Sequence, residues 1–191
     1  MSRDPIRAVV IGASAGAVQV LLEILPALPP TFPVPIFIVV HIPPDRTNAL
    51  TTLFADRCGL TVKEAEDKET PVPGTVYFAP ADYHLLIEQD GRVALAMDEP
   101  VHHSRPAIDV LFETAADAFG PNLVAIVLTG ANEDGAAGLR AVGEAGGLTL
   151  VEDPTSASSS TMPAAALAAW PQARTQDVPG ILAYLQTLVA P

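Results

Sequence analysis

Ser14 stands in Gly12-Ala13-Ser14-Ala15-Gly16, immediately after the apolar run Ala8-Val9-Val10-Ile11. This is a G-x-S-x-G pattern at the end of a predicted strand and the start of a predicted helix. Such a junction pushes the serine hydroxyl out at the C-terminal edge of a sheet, and the helix behind it offers backbone N–H groups where an oxyanion would develop. A serine hydroxyl is a weak nucleophile until a neighbouring imidazole takes its proton, and the imidazole works best when a carboxylate fixes its tautomer. Two residues meet those needs by position. His41 follows the apolar run 36–40, and Asp134 lies in the loop after the apolar run 123–128. Three separate strand ends thus supply a nucleophile, a base and an orienting acid, the set that acyl transfer through a covalent intermediate requires.

Each residue also has a plainer reading. Ser14 could cap the following helix, or the small-residue turn could cradle a phosphate. His41 could be a surface residue at a strand end, and Asp134 could be the N-cap of its own helix. Glu133 and Asp153 compete for the acid's role. The order Ser…His…Asp differs from the three familiar triad orders, but geometry defines a triad. His84, His102 and His103 are weaker candidates, because none follows a predicted parallel strand.

Alternating strand and helix patterns must position these side chains. Strands are predicted over residues 7–11, 36–40, 123–128 and 148–151, with a short one over 60–65. Helices are predicted over 16–28, 47–58, 106–119, 135–145, 162–169 and 178–188. The stretch 63–73 is charged and proline-punctuated and reads mostly as loop. Residues 75–79, 85–88 and 92–96 read as an antiparallel excursion, with Gln89-Asp90-Gly91 as the hairpin turn. The fold class that follows is α/β, a doubly wound, mostly parallel sheet with helices on both faces and an antiparallel hairpin. Ligands of such sheets bind outside the carboxyl ends of the strands, where Ser14, His41 and Asp134 all fall.

Composition narrows the function. With 191 residues, one domain spanning 1–191 is expected. Hydrophobic residues make up 49% and aromatics 5%, so the core is built from aliphatic side chains, as a covered parallel sheet requires. The formal net charge of −12 and the lack of any Lys/Arg cluster argue against nucleic acid and against anionic membrane surfaces. No apolar run is long enough to span a membrane, and no signal peptide is visible, so a cytoplasmic protein is expected. The single cysteine, Cys58, permits no internal disulfide and fits a reducing compartment. No metal-ligand spacing is present, and no metal is expected.

Several separated motifs resemble, in order, the catalytic domain of the CheB-type chemotaxis methylesterases. They are Ile11-Gly12-Ala13-Ser14-Ala15-Gly16, His41-Ile42-Pro43, Pro73-Gly74-Thr75-Val76-Tyr77-Phe78-Ala79-Pro80 with His84-Leu85, and Arg105-Pro106-Ala107-Ile108-Asp109-Val110-Leu111-Phe112. Leu128-Thr129-Gly130, Asp134-Gly135-Ala136, Gly138-Leu139, Asp153 and Met162-Pro163 complete them. The resemblance implies a Rossmann-like sheet with a hairpin, and it assigns the catalytic serine, histidine and aspartate to Ser14, His41 and Asp134. It implies hydrolysis of glutamyl methyl esters on cytoplasmic helices of methylated chemoreceptors, releasing methanol, and deamidation of particular receptor glutamines. It implies no cofactor.

The sequence departs from that family at three places near the site. Val40 stands where glutamine is frequent, Ala17 where a second glycine is frequent, and Ala131-Asn132 where Met-Gly is common. Many members also carry an N-terminal receiver domain. This chain starts at the first catalytic strand, so a stand-alone form or an excised piece is expected. Two other readings stay open on the residues alone: a signalling module of the same fold that binds without catalysing, and a nucleotide-binding domain using the Gly12–Gly16 turn. The latter lacks a full G-x-G-x-x-G pattern.

Overall fold

In the computed structural model, residues 5–41 and 47–189 are described, with the side chains of residues 47 and 48 left aside. The expected strand stop at Ile42-Pro43-Pro44 lies outside the described residues. The elements are β1 (Ala8–Ala13), α1 (Ala17–Ile24), β2 (Ile36–Val40), α2 (Thr47–Ala55), β3 (Thr61–Glu64), β4 (Thr75–Phe78), β5 (His84–Ile87), β6 (Val93–Ala96), α3 (Ile108–Phe119), β7 (Leu123–Val127), α4 (Ala136–Glu144), β8 (Leu148–Glu152), α5 (Thr161–Ala169), β9 (Arg174–Gln176) and α6 (Val178–Thr187).

Seven strands form one sheet in the order β3-β4-β2-β1-β7-β8-β9, and every pairing in it is parallel. Strands β5 and β6 form a separate antiparallel pair. The central strands β1, β2 and β7 are buried along their whole length, which is why they read as unbroken apolar runs rather than alternating ones. Their alternate residues still face opposite ways. Val9, Ile11 and Ala13 pack with α1, α2 and α6 in one core. Ala8 and Val10 pack with α3, α4, α5 and the hairpin in the other. Helices therefore cover both faces, as expected.

The chain runs from β1 outward through β2 to β4 and β3, then returns to β7 on the other side of β1. The reversal beside β1 is the topological switch point, where the crevice at the carboxyl ends opens.

Three expectations about the fold need correction. Residues 75–79 do not belong to the antiparallel excursion: Thr75–Phe78 is a parallel strand hydrogen-bonded between β2 and β3. Strand β9 has no counterpart in the sequence reading, because Arg174-Thr175-Gln176 is exposed and carries no apolar signal. The predicted first helix also divides. Pro26 lies in a 3-10 turn, Leu25–Ala27, that follows α1, since proline cannot continue an α-helical ladder.

Candidate active site

Three adjacent strands, β2, β1 and β7, deliver the three residues singled out by the sequence. The β1–β2 register pairs Ala13 with Val40, so Ser14 and His41 are the next residues on neighbouring strands. The His41 N–H donates to Ala13 O at 3.2 Å, holding the two strand ends together. By the alternation along each strand, Ser14 continues the series of Val10, and His41 that of Phe37 and Val39, all toward the α3–α4 face. Asp134 follows β7 on that same face and is fully buried.

Gly12 lets α3 approach this edge of the sheet. A Cβ there would lie 2.3 Å from Ile108 Cγ2. With only a hydrogen in that place, the first residue of α3 can press directly on β1. Gly16 has the left-handed φ of 86° that closes the turn before α1, a conformation that costs glycine little. Gly16, not Ser14, is the N-cap of α1, and no side chain caps that helix. The helix-capping reading of Ser14 is therefore set aside.

Asp134 does not cap its own helix either. Its Oδ2 accepts from the Ile108 N–H at 2.7 Å and its Oδ1 from the Asp109 N–H at 2.9 Å. These are two orphan donors of the first turn of α3. Asp109 returns the arrangement: its Oδ1 accepts from the N–H groups of Gly135 and Gly138, at 2.9 and 2.7 Å, at the start of α4. Each aspartate thus caps the other's helix, and each negative charge sits at a helix N-terminus where it is favoured. Burial pushes the Asp109 carboxyl above the usual range. The Gly138 N–H opposes the rise, and the neighbouring Asp134 charge adds to it.

The remaining bond of Asp134 goes to the imidazole. His41 Nε2 lies 2.7 Å from Asp134 Oδ2, with the histidine side chain 12% exposed and the aspartate 0%. The carboxylate accepts, so Nε2 carries the proton and Nδ1 is left as the basic nitrogen. The ring is turned end for end relative to the protease template, in which Nδ1 faces the acid. Either nitrogen can serve as base, provided the acid holds the other. Nδ1 is 3.3 Å from Asn132 Nδ2.

Thr129 ties the serine turn to the acid's strand. Its carbonyl accepts from the Ser14 N–H at 2.9 Å. Its hydroxyl donates to Ala15 O and accepts from the Ser159 N–H, both at 2.8 Å. Its own N–H donates to Glu152 Oε2 at 2.7 Å. Glu152 is buried, and that burial pushes its carboxyl up, against the pull of the Thr129 N–H.

The competing residues fall elsewhere. Asp153 accepts from the N–H and hydroxyl of Thr155 in a surface turn, which holds its carboxyl below the usual range. Glu133 is exposed, 3.5 Å from His102 Nδ1. His84 is buried and structural, joining Glu99 O and the Ala107 N–H. His102, a weaker candidate because it follows no predicted parallel strand, nevertheless lies 3.1 Å from Asp109 Oδ2. His102, Asp109 and Asp134 are close enough together to suggest a metal site. Yet all four carboxylate oxygens already face nitrogen partners, three of them accepting backbone N–H groups. That donor set is a capping network. Burial also pushes the Cys58 thiol up, away from the reactive thiolate. No helix among the described residues is long and apolar enough to cross a membrane.

Asp109, Thr129 and Asn132 are the residues that sequence reasoning did not place at the site. Asp109 and Thr129 lie inside quoted motifs, but their partners are remote in the chain. Asn132 stands out in the sequence only as a departure from the family.

Comparison with known proteins agrees with this fold. The CheB methylesterase family model matches residues 9–184. A relative from Leptospira interrogans is 46% identical over 162 residues, covering 85% of this chain and 84% of the relative. A protein-glutamate methylesterase/protein-glutamine glutaminase from Clostridium acetobutylicum is 39% identical over 166 residues, covering 87% of this chain but 48% of that protein. The crystal structure of the Thermotoga maritima CheB methylesterase catalytic domain superposes with a TM-score of 0.91 at 35% identity, covering 97% of this chain and 100% of that one. Sequence and topology agree, and the chain belongs to the CheB methylesterase family.

Proposed function

We propose that this chain is a protein-glutamate methylesterase working as one catalytic domain, with Ser14 as nucleophile, His41 as general base and acid, and Asp134 as the orienting carboxylate. The observation that carries the reading is the 2.7 Å contact of His41 Nε2 with the fully buried Asp134. It leaves Nδ1 as the basic nitrogen of a histidine that ends the strand next to the one bearing Ser14. Ser14 Oγ attacks the carbonyl carbon of a glutamyl methyl ester while its proton passes to His41 Nδ1. The tetrahedral intermediate collapses, methoxide leaves as methanol with that proton, and an acyl-Ser14 ester remains. Water, deprotonated by His41, then releases the free glutamate side chain and restores Ser14. Every proton in this cycle is handled by His41.

Ala15 follows the nucleophile and sits exposed at the head of α1. Its N–H is placed as the residue after the nucleophile is in G-x-S-x-G enzymes, where it stabilises the oxyanion. The substrate is a methylated chemoreceptor or a receptor-like protein, met in the cytoplasm. The glutamines of such receptors are a second substrate, since an amide presents the same carbonyl and releases ammonia instead of methanol.

The test is methanol release from receptor-containing membranes carrying methyl-labelled glutamyl esters, wild type beside Ser14→Ala. Release by the wild type and none by the variant is expected. No release by a folded wild type would favour a binding module of the same fold, and equal release by both proteins would remove Ser14 from the mechanism.

A further inference from the structure

His41 is held at both ring nitrogens, and the second contact has its own consequence. Asn132 Oδ1 accepts from the Asp134 N–H at 3.1 Å. A backbone N–H can only donate, so this bond identifies the oxygen end of the amide and turns Nδ2 toward His41. Nδ2 lies 3.3 Å from His41 Nδ1. An amide nitrogen also only donates, so Nδ1 accepts there with its one in-plane lone pair. The ring proton then sits on Nε2, facing Asp134 Oδ2 at 2.7 Å. Both contacts demand the same tautomer. The lone pair that Asn132 occupies is the one that must receive the Ser14 proton. Among the described residues, the hydrogen-bond partners of the His41 ring are Asp134 and Asn132 alone.

We propose that Asn132 is a latch on the general base, a positioning residue that holds His41 in the productive tautomer while competing with Ser14 for Nδ1. The proposal rests on the reading of Ser14, His41 and Asp134 as a triad. Each turnover begins by exchanging the Asn132 Nδ2 donor for the Ser14 hydroxyl. Asp134 need not move, because its carboxylate is fixed by two backbone N–H groups. Only the half-buried Asn132 amide has to swing aside. The exchange costs one neutral hydrogen bond, which corresponds to a rate penalty of roughly twofold to tenfold.

Two substitutions and two readouts test this. Asn132→Ser keeps a side-chain oxygen able to accept the Asp134 N–H, since serine forms the same kind of turn, but removes the donor to Nδ1. Asn132→Asp keeps the acceptor and the shape but offers Nδ1 only acceptors. The first should raise kcat by roughly twofold to tenfold with KM unchanged. The second should favour a proton on Nδ1 as well as Nε2 and lower kcat at least tenfold, a reversal that a merely structural role would not produce. Nitrogen-15 spectra of histidine-labelled protein read the ring directly and need no turnover. They should show an Nε2–H tautomer with a hydrogen-bonded Nδ1 in the wild type, the same tautomer with a free Nδ1 in Asn132→Ser, and a doubly protonated ring in Asn132→Asp. If the wild type proves not to hydrolyse glutamyl methyl esters, the spectra still decide the latch. An Nδ1–H tautomer in the wild type, or an unchanged Nδ1 signal in Asn132→Ser, overturns it. So does the expected spectral change with kcat unaltered or reduced in Asn132→Ser.

Discussion

Asp134→Asn and Asp109→Asn are the same substitution at two mutually capping aspartates, yet the structure predicts opposite outcomes. Asp134 serves three donors with two oxygens: Oδ2 takes the Ile108 N–H and His41 Nε2, and Oδ1 takes the Asp109 N–H. An amide has one oxygen. Placed at Oδ2, it leaves an NH2 facing the Asp109 N–H; placed at Oδ1, it leaves an NH2 facing both Ile108 and His41. Either way, at least one buried N–H meets a donor, at a cost of about 1–3 kcal/mol. Losing the negative charge at the head of α3 adds about 0.3–2 kcal/mol. A destabilisation of roughly 1–5 kcal/mol follows, which a domain of ordinary stability, about 5–15 kcal/mol, can absorb and stay folded. Ester hydrolysis should fall by about 10⁴, the loss seen when the best-studied triad receives the same change.

Asp109 is different. Its Oδ1 alone accepts both the Gly135 and Gly138 N–H groups, and its Oδ2 faces only His102 Nε2. An amide oxygen in the Oδ1 position keeps both caps, and its NH2 can donate to His102. Burial already disfavours the Asp109 charge. Asp109→Asn should therefore lie within about 1 kcal/mol of the wild type and keep its rate within about tenfold. Urea denaturation followed by far-ultraviolet circular dichroism, with ester hydrolysis on the same samples, measures both quantities. Wild-type stability in Asp134→Asn, or a larger loss in Asp109→Asn than in Asp134→Asn, would refute the reciprocal-capping argument.

Three further outcomes are expected. Gly12→Ala places a Cβ against Ile108, so α3 must shift. Denaturant midpoints should show a loss of about 1–3 kcal/mol, with hydrolysis falling further than stability alone explains, because the same helix start holds Asp134. Thr129→Val keeps the volume but loses the hydroxyl that joins Ala15 O to the Ser159 N–H. It should cost about 1–3 kcal/mol, and kcat should fall with little change in KM as the serine turn loosens. Burial raises the Glu152 carboxyl above its ordinary value of 4.5, so in the window above that value the native state binds a proton that the unfolded state has lost. Stability therefore falls as pH rises through the window. Glu152→Gln retains an oxygen for the Thr129 N–H and lacks the titration. Melting curves against pH should show the variant gaining on the wild type as pH increases, and parallel curves would refute this assignment.

The parts of the fold legible in the sequence were those with a strong local signal. Strands β1, β2 and β7 are buried on both faces, so their apolar runs could be seen, and with them the three strand ends that carry Ser14, His41 and Asp134. Strand β4 reads as part of the hairpin because Thr75–Phe78 has the same composition whether its neighbours run parallel or antiparallel. Strand β9 exists only because β8 offers it an edge. The same limit applies at the site. Asp109 looks like an ordinary first-turn acid of α3, and only the packing of α3 on α4 reveals that it caps the neighbouring helix. Asn132 is 91 residues from its histidine partner, a separation over which no periodicity carries information.

The most direct test of the account is to trap the nucleophile. The protein is treated with a fluorophosphonate, which phosphonylates an activated serine, and the adduct is located by peptide mass spectrometry. A single adduct on Ser14 is predicted, abolished in Ser14→Ala and slowed by orders of magnitude in His41→Ala, whose serine has no base. Modification on another residue, or equal labelling of Ser14 with His41 removed, would contradict the claim that Ser14 is activated through His41 and Asp134.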